Sequence, residues 1–216
     1  MVKGRLYGIF CKLLADVGPQ HWWPADSGFE VMVGAILTQN TNWGNVEKAI
    51  SNLKRHRLLS PKKLSRLPLR KLAALIKPSG YYRVKSQRLK NLVDFLFSQY
   101  QGDLALLNAQ DTSVLRQQLL SVKGVGPETA DSILLYACAK PVFVVDAYTK
   151  RILSRHSLIK PQASYEQIQQ LCMRALPRRV RIFNEFHALL VAVGKRYCRP
   201  KDPLCQECPL GGCQRS

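Results

Sequence analysis

Three groups of residues have types and spacings suited to chemistry. Asp146 ends the apolar run Val142-Phe143-Val144-Val145 and precedes Ala147-Tyr148-Thr149-Lys150-Arg151. The run delivers one carboxylate to the start of a helix that continues through Ile152 and Leu153, where Asp is a favoured N-cap. Capping and catalysis are compatible, because a carboxylate beside apolar residues and a helix terminus is fixed in place and only partly hydrated. The second group is Leu119-Leu120-Ser121-Val122-Lys123-Gly124-Val125-Gly126-Pro127-Glu128-Thr129-Ala130. A helix ending near Leu120 meets a hairpin with two glycines, and Pro127 opens the next helix at its favoured first position. Gly124 and Gly126 allow a tight turn and bring bare N–H groups toward an anion. With the helix dipole behind it, this hairpin predicts a phosphate grip that ignores base sequence. The third group is Cys198, Cys205, Cys208 and Cys213, spaced C-x6-C-x2-C-x4-C. Four thiolates so close suit a soft metal centre. A single C-x2-C knuckle, where zinc folds usually show two, points to an iron–sulfur cluster. Gly211 and Gly212 supply the freedom to swing Cys213 back onto the site. Cys11, Cys138 and Cys172 lie alone on helical stretches and read as small core residues.

The elements that position these groups are helices. Phe29, Val33, Ile36 and Leu37 recur at helical spacing, as do Val46, Ala49, Ile50 and Leu53. Short helical pieces at Leu64–Leu67 and Leu72–Ile76 are cut by Pro61, Pro68 and Pro78. The pattern predicts an amphipathic helix over Lys85–Tyr100 and later helices over Tyr165–Ala175 and Phe183–Tyr197. The run Val142–Val145 is strand-like but too isolated to build a sheet. The fold class is all-α.

Composition sets the partner. The chain has 216 residues, 33 Lys+Arg against 14 Asp+Glu, and a net charge of +19. Apolar residues make up 46%, enough for a real core and too many for a disordered tail protein. No apolar run approaches the roughly 18 residues of a membrane span, and Lys12 interrupts the only apolar stretch near the start that a signal peptide could use. From Lys48 to Val93 there are 14 Lys/Arg and no Asp or Glu. Such same-sign excess reads as an interaction surface for a polyanion. A cytoplasmic, nucleic-acid-facing protein is expected.

Together the hairpin, the Val-Val-Asp that follows about twenty residues later and the terminal cysteines resemble the endonuclease III family of DNA glycosylases. Within that family the chain is most similar to the 3-methyladenine DNA glycosylase III branch, through His21-Trp22-Trp23-Pro24, Leu37-Thr38-Gln39-Asn40-Thr41 and Pro78-Ser79-Gly80-Tyr81-Tyr82, with Glu128-Thr129-Ala130-Asp131 and Ala137-Cys138-Ala139-Lys140. The resemblance implies a helix-hairpin-helix glycosylase fold, with a helical barrel over residues 21–135 ending in the hairpin. It implies a second helical domain, from residues 1–20 and 136–216, that carries a [4Fe–4S] cluster on the four terminal cysteines.

Two departures qualify the activity. The family's Schiff-base lysine lies two residues after the second hairpin glycine, and here that position is Glu128. A carboxylate forms no imine, so a lyase step is not expected. The last cysteine gap is four residues where the family commonly has five, and the alkylation branch often lacks the cluster.

The resemblance therefore implies a monofunctional DNA N-glycosylase that excises alkylated purines, with Asp146 as the catalytic carboxylate. An N3- or N7-alkylated purine is cationic and already a good leaving group. An aromatic slot and a carboxylate near the developing oxocarbenium ion are what it needs. From position alone Trp22 and Trp43 would be core; the resemblance makes them the slot and leaves Trp23 as scaffold. Glu128 reads equally as a contact to the base and as a first-turn acid favoured by the helix dipole. Unaided, Gln39 reads as a solvated loop residue; the resemblance makes it the wedge that fills the hole left by a flipped nucleotide. Lys195 matches a lysine near the branch's pocket and reads equally as a phosphate contact. The implied partner is double-stranded DNA containing a damaged base, met by a monomer near the nucleoid and away from membranes. Two alternatives stand: a glycosylase/AP lyase for oxidised pyrimidines using another amine, and a non-catalytic DNA-binding protein.

Overall fold

The computed structural model describes residues 2–211, with side chains from residue 4 onward. All regular structure among the described residues is helical. The chain forms two compact units, Met1–Pro24 with Pro141–Ser216, and Ala25–Lys140. These divisions fall a few residues from the 20/21 and 135/136 boundaries expected from the sequence.

Helix α1 (Val2–Val17) opens the chain and buries Leu6, Phe10 and Leu13, one stripe at helical spacing. Cys11 lies off that stripe and is exposed, which corrects its reading as a core residue; Cys138 and Cys172 are buried.

The unit Ala25–Lys140 is built around α2 (Gly28–Leu37), whose residues from Phe29 to Leu37 are all buried. A helix apolar all round belongs at the centre of a core. The buried carboxylate of Glu30 lies 2.6 Å from Lys54 Nζ, so its charge is paired. Helices α3 (Trp43–Arg55) and α6 (Tyr82–Tyr100) pack against α2, and α4 (Pro61–Arg66), α5 (Leu69–Leu75) and a 3-10 turn at Lys77–Ser79 pack in turn on α3 or α6. Asn42 and Ser60 cap α3 and α4 with their side chains, and Pro61 fits the first turn. Helix α6 starts three residues before its predicted Lys85. Two lysines of the acid-free stretch turn inward. Lys85, 1% exposed, donates to Leu37 O at 2.8 Å and Ser79 O at 2.7 Å. Lys90 donates to Leu64 O at 2.7 Å and Ser65 O at 2.8 Å. Both satisfy carbonyls that helix ends leave over. The charge run is therefore not one solvated face. Beyond α6 come α7 (Leu104–Ala109), α8 (Thr112–Ser121) and α9 (Pro127–Ser132), the last continuing as a π-helical turn over Ile133–Ala137.

The other unit contains α10 (Ala147–Arg155), α11 (Tyr165–Ala175) and α12 (Val180–Arg196). Helix α11 has its predicted bounds and begins with a full capping box, Ser164 with Gln167. Its core stacks Phe143 edge-on against Phe183, 5.7 Å between centroids, with Phe10 edge-on to Phe186. The extended run Val142–Val145 is buried without a strand partner. Side chains satisfy its backbone instead: Gln169 Nε2 donates to Phe143 O at 2.7 Å, and Val145 N–H donates to the Tyr165 hydroxyl at 3.4 Å.

Candidate functional site

Asp146 stands where that run meets α10. Its Oδ1 accepts the Thr149 N–H at 2.7 Å, the N-cap expected. Its Oδ2 lies 3.5 Å from His187 Nε2 on α12, and its side chain is 12% exposed. Burial works to raise the carboxyl's pKa, but the His187 charge and hydrogen bond, with the bonds from Thr149, outweigh it, and the group is held below the ordinary carboxylate value. The result is a dehydrated carboxylate that stays ionised. Its neighbour Tyr148 presses so closely on Gly194 that a Cβ there would lie 2.4 Å from Tyr148 Cδ1. Glycine at 194 lets α10 and α12 approach, and that approach sets Asp146 beside His187.

His187 was missed by the sequence reading. It is 6% exposed and edge-on to Phe143, 6.5 Å between centroids. The available signal was a histidine one turn after Phe183 on an otherwise apolar helix face, where a buried His needs a polar partner.

Trp22 and Lys195 share this unit. Lys195 Nζ sits over the Trp22 ring at 5.8 Å from its centroid, and Trp22 and Trp23 tilt against each other at 5.7 Å. The Gln20 N–H donates to Glu185 Oε1 at 2.6 Å, which anchors the segment before Trp22 on α12. Both indoles are half-buried, so neither is simply core.

Cys198 is buried, Cys205 and Cys208 are half-buried, and all three line one cavity together with Ile152, Val193 and Tyr197. Cys213 and Gly212 lie outside the described residues. Among the described residues no group of three or more His, Cys, Asp or Glu side chains could hold a single metal ion. Helix α10 holds the loop. Arg151 donates to Cys198 O at 2.7 Å and Gly194 O at 3.2 Å, and Arg155 donates to Cys198 Sγ at 3.3 Å and Arg199 O at 2.7 Å. Burial, with Cys198 and Cys205 nearby, pushes the Cys208 thiol above its ordinary value despite hydrogen bonds from the Leu210 and Gly211 backbone. Gly211 takes φ +52°, in the left-handed region that favours glycine.

In the unit Ala25–Lys140, α8, residues 122–126 and α9 form the hairpin. Arg116 on α8 grips the fully buried Asp131 of α9 through two hydrogen bonds of 2.7 and 3.0 Å, locking the helices on either side of the turn. Gly124 has φ +100°, and a Cβ there would lie 2.3 Å from Arg88 Cγ. Gly126 differs from expectation. Its φ of −96° suits any residue, and a Cβ would meet nothing within 4 Å. Only Gly124 is needed to make the turn; a bare backbone at 126 leaves room for a ligand to approach from outside. Lys123 is exposed, and its carbonyl accepts from Asn91 Nδ2 at 2.8 Å.

Gln39 is not a solvated loop residue. Its Nε2 donates to Gly124 O at 3.1 Å and Thr129 Oγ1 at 3.0 Å, while its Oε1 accepts from Arg88 Nη1. Glu128 is exposed in the first turn of α9. Trp43 is half-buried at the start of α3, its Nε1 donating to Glu47 at 2.9 Å. The structure thus joins Gln39 to the hairpin, and Asp146 to a histidine. It assigns Trp22 and Asp146 to one unit and Trp43 and Glu128 to the other.

An all-helical fold with a braced glycine hairpin and an ionised carboxylate at a helix start defines a helix-hairpin-helix DNA repair protein. Residues 33–178 match the HhH-GPD superfamily base excision DNA repair proteins, and the chain belongs to that superfamily. It is 48% identical over 206 residues to a protein of Methanocaldococcus jannaschii described as a DNA repair glycosylase, with 95% of this chain and 93% of that one covered. Among solved structures it is similar to the Helicobacter pylori 3-methyladenine DNA glycosylase bound to 1,N6-ethenoadenine, at 30% identity, TM-score 0.76, and 90% and 96% coverage of the two chains. It shares the fold of endonuclease III trapped on DNA, with TM-score 0.83 at 21% identity and coverage of 97% and 94%. The chain is accordingly a DNA glycosylase of base excision repair.

Proposed function

We propose that the protein is a monofunctional N-glycosylase for alkylated purines. The carrying observation is Asp146, desolvated yet held ionised by His187 and Thr149. Cleavage of a purine N-glycosyl bond leaves positive charge on the sugar, and a carboxylate already fixed and ionised stabilises that charge without reorganising. An alkylated purine leaves readily, so a single carboxylate without a strong general acid suffices. The similarity to a glycosylase crystallised with ethenoadenine supports an alkylated purine as substrate.

The remaining residues take supporting roles. Trp22 and Trp43 each offer an indole face to an extrahelical base, Glu128 an acceptor for its N–H groups, and Gln39 a side chain to replace it in the stack. The hairpin, through Lys123, Gly124 and Gly126, holds phosphates of the duplex. Glu128 stands where an imine-forming lysine would, so strand cleavage is not part of the reaction.

A [4Fe–4S] cluster fits the terminal loop. Cys198, Cys205 and Cys208 line one cavity, and the Arg155 guanidinium donates to the Cys198 sulfur, as donors to anionic thiolates do. Cys213 would complete the set. Bound there, the cluster would cross-link the loop to itself beside α10 and supply no step of the hydrolysis.

The test is a panel of duplexes with methylated, etheno, oxidised and deaminated bases, assayed for free base and for borohydride-trapped adducts. Release of alkylated purines with no trapped enzyme is expected. Release of oxidised pyrimidines with efficient trapping would establish the lyase alternative, with Lys123 and Lys195 as candidate amines.

A further inference from the structure

The acid-free stretch Lys48–Val93 holds more positive charge than the hairpin and the fold consume. Lys54 pairs with Asp26 and Glu30, Lys85 and Lys90 serve helix-end carbonyls, and Arg88 holds Gln39. Arg70, Lys77 and Arg83 enter no salt bridge among the described residues. These three rim one groove of about 490 Å³ between α5 and α6. Its floor is apolar and shallow-walled because Ala73 and Ala74 are small, and Leu69 beside them is 41% exposed. The Arg83 guanidinium lies 6.0 Å from the Tyr82 ring centroid, so the rim presents an aromatic and a cation side by side.

The groove does not face the hairpin. At about 100° per residue, Tyr82, Arg83 and Ser86 project from one side of α6. Arg88 and Asn91, which reach Gln39 and the Lys123 carbonyl, project from the opposite side. A duplex gripped by the hairpin therefore lies across α6 from this surface. Phosphates would gain from the cations but nothing from an apolar floor, which binding would desolvate without return.

We infer that this groove docks a protein partner through a short acidic segment carrying one or two large apolar side chains. The apolar side chain fills the floor over Ala73 and Ala74, and flanking carboxylates meet Arg70, Lys77 and Arg83. Buried apolar area gives the affinity, while the charges set encounter rate and orientation. A partner held here would bring other repair factors to DNA without competing for the hairpin.

The probe is a fluorescein-labelled peptide with a Phe-Leu pair among Asp and Glu residues. One control replaces Phe-Leu by Ser-Ser, and a second replaces the acids by Lys. The full-length protein should bind the probe at least about tenfold more tightly than either control. Ala74→Trp, which fills the floor without changing charge, and Arg70→Glu/Arg83→Glu should each weaken it at least about tenfold while leaving undamaged-duplex affinity within about threefold. Absent or equal binding of all three peptides to wild type would overturn the inference. So would unchanged probe binding in both variants. Loss of duplex binding by Ala74→Trp would instead assign the groove to the nucleic-acid surface.

Discussion

At the scale of single residues, the chemistry rests on a carboxylate that burial would neutralise and its neighbours keep charged. Asp146 was legible in the sequence as an N-cap at the end of an apolar run, but its ionising partner was not. His187 lies 41 positions away on another helix, and only packing brings it to 3.5 Å. Gln39 was legible by resemblance alone; no local signal tells that its amide reaches across to Gly124 and Thr129. Since the folded carboxyl's pKa is depressed, its contribution to stability is complete above the unfolded value and is lost only as pH falls through the lower folded value. Excision should follow the same rule, with an acidic limb below the ordinary carboxylate range. His187→Ala removes the largest favourable influence, so that limb should move to higher pH and the rate at neutral pH should fall about tenfold. A pH–rate profile identical to wild type would mean that His187 does not govern the ionisation of Asp146.

At the scale of elements, the helices were readable because their apolar residues recur every three to four positions. Helix α11 came out with its predicted bounds because Ser164 and Gln167 write its start into the sequence. The run Val142–Val145 shows the limit of local reading. Its side chains say strand, yet Gln169 and Tyr165 satisfy its backbone, and no ladder forms. Glycines carry different messages at equal visibility: Gly124 is required by its backbone, Gly126 by nothing inside the protein, and Gly194 by the approach of Tyr148. Gly194→Ala should therefore force α10 from α12. A cost of about 1–3 kcal/mol is expected from overpacking, read as a lower Tm, together with slower base release as Asp146 leaves His187. An unchanged Tm with full activity would show that the contact yields without consequence.

At the scale of the whole molecule, charge identified a polyanion partner but overstated the surface available to it, since Lys54, Lys85 and Lys90 are spent inside the fold. The cysteine loop was readable from spacing; the arginines of α10 that hold it were not, because nothing in Arg151 or Arg155 alone announces a partner 43 to 47 residues on. If the loop carries a cluster, purified protein should be brown with about four irons per chain. Cys205→Ser should lose colour and the protease resistance of the C-terminal segment together. A colourless protein with stoichiometric zinc would contradict the assignment. The central claim, that this molecule breaks the N-glycosyl bond of an alkylated purine through Asp146, is tested most directly by comparing wild type with Asp146→Asn on one duplex containing 3-methyladenine. Base release should fall by at least about a hundredfold, roughly 3 kcal/mol of transition-state stabilisation, while affinity for that duplex stays within a few fold. Full excision by the variant, or no excision by the wild type beside unaltered binding, would contradict it.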